Sequence, residues 1–194
     1  MERWLEGSLK QSVSPRTYGG YAWQTRKHVV PGLDHIKLKE LTAEHLDALY
    51  VQKSNSGLGP CAVGYIHSTI RVALQRAVKK RLIPYNVARD ADPSKQTKRE
   101  YTTLSQNQLT SFFRAAAEAK DCLEAVFIVA ALAGPRPGEL LALKWADLRL
   151  PEEPNAPGEA RIRRSLSTTR EGLVLRETTK TGKGRLVYLL PPVE

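Results

Sequence analysis

Three groups of side chains in the sequence have the type and spacing to handle a phosphate. The first is Arg136, in AGPRPGELLALKWADL, residues 133–148. A guanidinium presents its donors in a planar fork that matches phosphate oxygens, and it stays charged at any accessible pH. Glu139 lies three residues on and is spaced to support it. The second is Lys180, in TTKTGKGRLVYLLP, where a turn would hold the amine clear of a sheet; Lys183 competes for the same role. The third is the row Arg71, Gln75 and Lys79, with Arg76 and Lys80 beside it. On a helix these form a stripe suited to successive phosphates along a duplex. Arg16 and Lys27, with Trp23, add to this surface. Each group also has a plain reading: a stabilising Arg–Glu pair, a solvated turn lysine, a solvated helix face.

The elements around Arg136 are legible. Gly134 and Pro135 must stop the apolar run CLEAVFIVAALA. Pro137 keeps Arg136 out of the helical region and suits the first position of a new helix. The arginine is therefore expected between two helices with little backbone freedom. At a helix start, free N–H groups and the dipole would favour an anion. Gly138 is expected to let a ligand backbone come close.

Composition narrows the partner. The 194 residues carry a net charge of +10, which favours a polyanion. Residues 1–99 hold 17 Lys or Arg against 8 Asp or Glu, whereas residues 100–194 hold 13 against 12. The longest apolar run is far too short to cross a bilayer, and the N-terminus lacks the apolar core of a secretory signal. Cys61 and Cys122 read as buried thiols of a cytoplasmic protein. No Walker loop or GxGxxG is present, His28, His35, His45 and His67 are scattered, and no acidic cluster suits Mg²⁺. Neither a metal nor a cofactor is expected, nor a membrane. Nucleic acid is the expected partner.

Periodicity predicts helices from Ser14 to about Val30, from Thr42, from Pro60 to about Leu82, and from Ser105. Two more follow, over 121–133 and 137–146. The second should bury Leu46, Leu49 and Tyr50, and the third Val63, Ile66, Ile70, Leu74, Ala77 and Val78. Three strand-like pieces come next: EARIRRSLSTTR, GLVLRETTK and RLVYLLP, the last two joined as a hairpin through TGKG. The expected fold is mostly α with a small antiparallel β-sheet. A helical domain spans 1–89, a linker 90–102, and an α+β domain 103–194.

In order along the chain, these pieces resemble the tyrosine recombinases of the phage-integrase type. WLEGSLKQSVSPRTYGGYAWQTRKHVVPGLDHIKLKELTAEHLDAL and SGLGPCAVGYIHSTIRVALQRAVKKRLIPYNVA resemble the integrase core-binding domain. LSQNQLTSFFRAA, AGPRPGELLALKWADL and KTGKGRLVYLLP resemble the front of the catalytic domain. The family cuts DNA without metal or nucleotide, through a tyrosine that forms a 3′-phosphotyrosyl link. The resemblance implies that Arg136 neutralises the non-bridging oxygens of the transition state and that Lys180 protonates the leaving 5′-oxygen. It makes Glu139 a supporting residue, and implies other recombinase protomers on DNA as partners of a full-length protein. Pro135 departs from the leucine or methionine usual before the arginine. The family's His-x-x-Arg pair and nucleophilic tyrosine would lie beyond Glu194. The expectation is a truncated recombinase that binds duplex DNA without cleaving it; the alternative is a non-catalytic DNA-binding module or regulator derived from an integrase.

Overall fold

The computed structural model describes residues 1–93, 100–120, 122–153, 156–169 and 172–189. The chain divides into two compact units, Met1–Glu100 and Tyr101–Glu194. Helices dominate, and two small antiparallel sheets complete the architecture.

The first unit is helical. A short α1 (Glu2–Trp4) runs into a π turn over Leu5–Leu9, and α2 (Pro15–Gln24) follows. The Ser14 hydroxyl accepts from the Thr17 N–H at 3.3 Å, giving α2 the cap its sequence predicts. The helix was expected to stop near Val30, before Pro31. Instead a π turn at Thr25–Val29 leads into α3 (Val30–Leu33), which contains that proline. A wider turn relieves the clash between the proline ring and the preceding carbonyls.

Helix α4 (Ala43–Asn55) starts at Thr42, whose backbone N–H donates to His45 Nδ1 at 3.2 Å. Helix α5 (Pro60–Lys79) ends in a Schellman arrangement. Arg81 is left-handed there, and the Leu82 N–H reaches the Ala77 carbonyl at 3.0 Å. Val29, Leu46, Leu49, Tyr50, Val63, Ile66, Ile70 and Leu74 join in one core, with Val78 packed at its edge. This apolar spacing is the one that predicts the helices.

The second unit begins with α6 (Gln106–Glu118), where Ser105 and Gln108 make both bonds of a capping box. Helix α7 (Glu124–Ala133) ends at Gly134, which is left-handed at φ 57°. Helix α8 (Pro137–Leu140) is one turn, shorter than the predicted 137–146. The Asp147 carboxylate accepts from the Lys144 N–H at 3.0 Å and starts a separate 3₁₀ turn, Trp145–Asp147.

Strands β1 (Leu148–Arg149), β2 (Gly158–Ile162) and β5 (Arg185–Leu189) form one sheet in the order β1-β2-β5. Strands β3 (Ser165–Thr169) and β4 (Gly172–Arg176) form another. This corrects the predicted hairpin: β4 pairs with β3, with Thr168 opposite Leu173, while β5 pairs with β2, with Ala160 opposite Val187. The run 159–170 is two strands broken at Arg163–Arg164. Both arginines turn aside to one buried carboxylate, Asp147: Arg163 Nε donates to Oδ1 at 2.8 Å and Arg164 Nη2 to Oδ2. Between β2 and β3 at this pair the chain passes from one sheet to the other.

Cys61 and Cys122 are both exposed, not buried as expected. Cys61 lies in the first turn of α5, and Cys122 precedes α7. Among the described residues no helix is long and apolar enough to cross a membrane, and no group of three His, Cys, Asp or Glu gathers as a metal site.

Candidate functional site

Arg136 stands at the N-cap of α8 with φ −66° and ψ 148°, the extended geometry that a following proline enforces. Pro135 before it is buried. The Arg136 side chain is 52% exposed and its Nη1 donates to Glu139 Oε1 at 2.9 Å. Its backbone N–H donates to Glu139 Oε2 at 3.0 Å. The N–H expected to be free for an anion is therefore occupied by a carboxylate, and α8 is too short to supply a dipole. What remains available is the guanidinium. Gly138 also departs from expectation. A Cβ there would run into the Leu166 carbonyl oxygen, so the backbone it admits is the chain's own β3.

Glu139 is the organising group. Its side chain is only 1% exposed, and it also receives Arg185 from the start of β5. Arg185 Nη1 reaches Oε1 at 3.1 Å and Nη2 reaches Oε2 at 2.7 Å, a bidentate fork. These bonds, with the Arg136 N–H and guanidinium, outweigh burial and hold the Glu139 carboxyl down to about 2. Arg185 escaped the sequence reading because its partner lies 46 residues away. The only local hint is a charged residue opening an otherwise apolar strand.

Lys180 is exposed in the connection between β4 and β5, which belong to different sheets. Buried Thr179 anchors this turn. Its Oγ1 donates to the Lys183 carbonyl at 2.7 Å, and its carbonyl accepts from the Gly182 N–H at 3.0 Å, with Gly182 left-handed at φ 74°. Neither Lys180 nor Lys183 makes an ion pair among the described residues. The strand that follows the turn carries Arg185 to Glu139, so the lysine turn and Arg136 are joined through one carboxylate. Tyr188, on β5 opposite Glu159, faces away from Arg185 by strand alternation.

The basic stripe of the first unit is divided by its contacts. Gln75 Oε1 accepts from Asn86 Nδ2 and Arg89 Nη2, both at 3.3 Å, and so ties α5 to the exit turn. Arg76 and Lys79 are exposed and border a cleft of about 320 Å³ with Trp4, Ser8, Ser12 and Tyr21. Arg71 and Lys80 are exposed. On α2 and the turn after it, Arg16 is exposed, and Lys27 Nζ lies 4.9 Å from the centre of the Trp23 ring. His28 is buried, with its ring edge-to-face on Trp23. Burial, then the Lys53 and Lys27 charges, lower its pKa.

The family described as "Phage integrase, N-terminal SAM-like domain" matches residues 1–54. An integrase of Saccharopolyspora erythraea is 30% identical over 155 residues, covering 76% of this chain and 35% of the relative. An integrase of Streptomyces ambofaciens is 31% identical over 179 residues, covering 91% and 44%. The chain thus spans less than half the length of these curated relatives. The fold is similar to that of the Tn1549 transposon integrase, solved with transposon right end DNA (TM-score 0.73, 16% identity, 95% of this chain and 59% of that one). It is also similar to a lambda integrase dimer bound to a COC′ core site (TM-score 0.66, 19% identity, 95% and 59%). On these sequence and fold relationships, the chain belongs to the tyrosine recombinase family of phage integrases.

Proposed function

We propose that this chain is the DNA-engaging part of a site-specific integrase of a phage or other mobile element, acting on duplex DNA in the cytoplasm. The helical unit grips the backbone through Arg16, Lys27, Arg71, Arg76, Lys79 and Lys80, while Arg136 and Lys180 take the scissile phosphate. The observation that carries this reading is the bridge in the second unit. One buried carboxylate, Glu139, fixes Arg136 and the strand leaving the Lys180 turn, while a half-exposed guanidinium and an exposed amine stay open to a ligand.

The division of labour follows from the two groups. Arg136 cannot give up its proton, so it stabilises charge on the non-bridging oxygens. Lys180 can, so it serves the leaving 5′-oxygen as a general acid. The Tn1549 and lambda integrases were solved on DNA, and the lambda enzyme also as a tetramer on a Holliday junction. Assembly with other protomers on DNA is the corresponding proposal here. Covalent cleavage needs a tyrosine at the phosphate, and Tyr188 faces away from the bridge.

A nicked half-site run on a denaturing gel should therefore show binding without a covalent band. In a salt titration, log K should fall steeply with log salt, by about 0.9 per phosphate contact. A flat titration, or a covalent band lost on Arg136→Ala, would overturn this account.

A further inference from the structure

We infer that Arg185 is a positioning residue: by forking onto both oxygens of Glu139, it confines Arg136 to one of them and keeps the rest of that guanidinium free for phosphate. This rests on the reading of Arg136 as a phosphate ligand.

Arg136 and Arg185 compete for a single carboxylate. A buried carboxylate prefers a two-pronged arginine partner. Arg185 takes that place with Nη1 on Oε1 and Nη2 on Oε2. Arg136 gives Oε1 only Nη1, and Oε2 receives its backbone N–H. Its Nε and Nη2 make no bond to the carboxylate, and half of its side chain faces solvent. Two guanidinium charges thus share one negative charge, and the surplus lies with the more exposed arginine, since Arg185 is 39% exposed. Without Arg185, the only guanidinium left at Glu139 would be that of Arg136, three residues away. The carboxylate would draw it into the fork and withdraw it from any anion. The sheet delivers Arg185 to this position, because β5 opens with Arg185 in register with Ile162 of β2.

The test follows the guanidinium signal of Arg136 by NMR in the whole chain during titration with inorganic phosphate. In the wild type the signal should move with phosphate. In Arg185→Gln it should already be displaced before phosphate is added, with apparent affinity reduced about tenfold, the scale of one charge-assisted hydrogen bond. The double variant Glu139→Gln/Arg185→Gln should regain affinity to within about threefold of wild type, since a neutral amide no longer captures Arg136. A merely structural role predicts no such recovery. Arg185→Lys, which keeps the charge and loses the fork, should fall between. It serves in place of Arg185→Gln if the backbone spectrum of that variant shows loss of the sheets. Wild-type affinity in Arg185→Gln, or a double variant as weak as the single, would overturn the inference while leaving Arg136 a phosphate ligand. No response of Arg136 in the wild type would remove the phosphate reading itself, and this inference with it.

Discussion

Met1–Glu100 and Tyr101–Glu194 are nearly equal in length but are held together by different forces. In the first unit twelve buried apolar residues, from Val29 to Ala91, form one cluster, and most of the basic side chains stand outside it. In the second, the buried apolar residues among those described are Ala116, Pro135, Ala142, Ala160 and Ile162. The buried charged groups there are Glu139, Asp147 and Arg164. Leu141, Trp145, Leu150 and Leu173 are well exposed. Glu139 gathers Arg136 and Arg185, and Asp147 gathers Arg163 and Arg164. A core built from apolar packing leaves its cations free for a diffuse polyanion. A scaffold built on buried carboxylates fixes its arginines one by one, which is what a single phosphate requires.

The largest effect that can break this contrast is the loss of an organising carboxylate. Asp147→Ala leaves Arg164, 7% exposed, without its main partner. It should destabilise the second unit by about 3–5 kcal/mol and leave the first unchanged, as read by hydrogen exchange of each unit. Leu46→Ala in the first unit opens a cavity and should cost about 2–5 kcal/mol there, with no dependence on salt. If Asp147→Ala costs no more than a surface substitution, the carboxylate scaffold is not what holds the second unit.

Acid should destabilise both units, each in its own pH window. Glu139 has its folded-state pKa depressed to about 2 from 4.5. Its contribution is complete above pH 4.5 and is lost as pH falls from there towards 2. It amounts to about 1–3 kcal/mol once solvent screening at the half-exposed arginines is allowed for. His28 and His67 of the first unit are lowered below 6.5, chiefly by burial. The unfolded chain takes up their protons first, so the first unit should begin to lose stability as pH falls through 6.5. Acid unfolding followed at Trp145 for one unit and at Trp4 and Trp23 for the other would show both windows. Coincident loss near pH 4 would contradict the distinction. The smallest expected effect is on DNA affinity: Arg76→Ala and Lys79→Ala should each lower the salt slope by about 0.9, measured by fluorescence anisotropy.

Local chemistry was legible in the sequence, and long-range partnering was not. Ser14, Thr42 and Ser105 mark helix starts because a cap is settled within three residues. The pinned backbone of Arg136 is legible for the same reason, from Pro137 alone. Strand pairing is not: β4 and β5 flank a glycine-rich turn that looks like a hairpin, yet each finds its partner elsewhere. At the break between the two sheets Arg163 and Arg164 bond to the Asp147 carboxylate, 16 and 17 residues away in sequence and beyond the reach of local patterning. Arg185 was missed for a similar reason. The expectation of buried cysteines failed because apolar neighbours in sequence need not face the core. Residues 94–99 of the expected linker lie outside the described residues.

The central claim is that Arg136 and Lys180 hold the same phosphodiester. A duplex selected by the chain from a random pool, with its phosphates replaced one at a time by neutral methylphosphonate, tests it directly. Affinity is measured for the wild type, Arg136→Ala and Lys180→Ala, so that each replacement closes a double-mutant cycle. The account predicts one position where neutralisation costs the wild type about tenfold, as for a charge-assisted hydrogen bond, and costs either variant almost nothing. Coupling of the two residues to different phosphates, or to none, would contradict it.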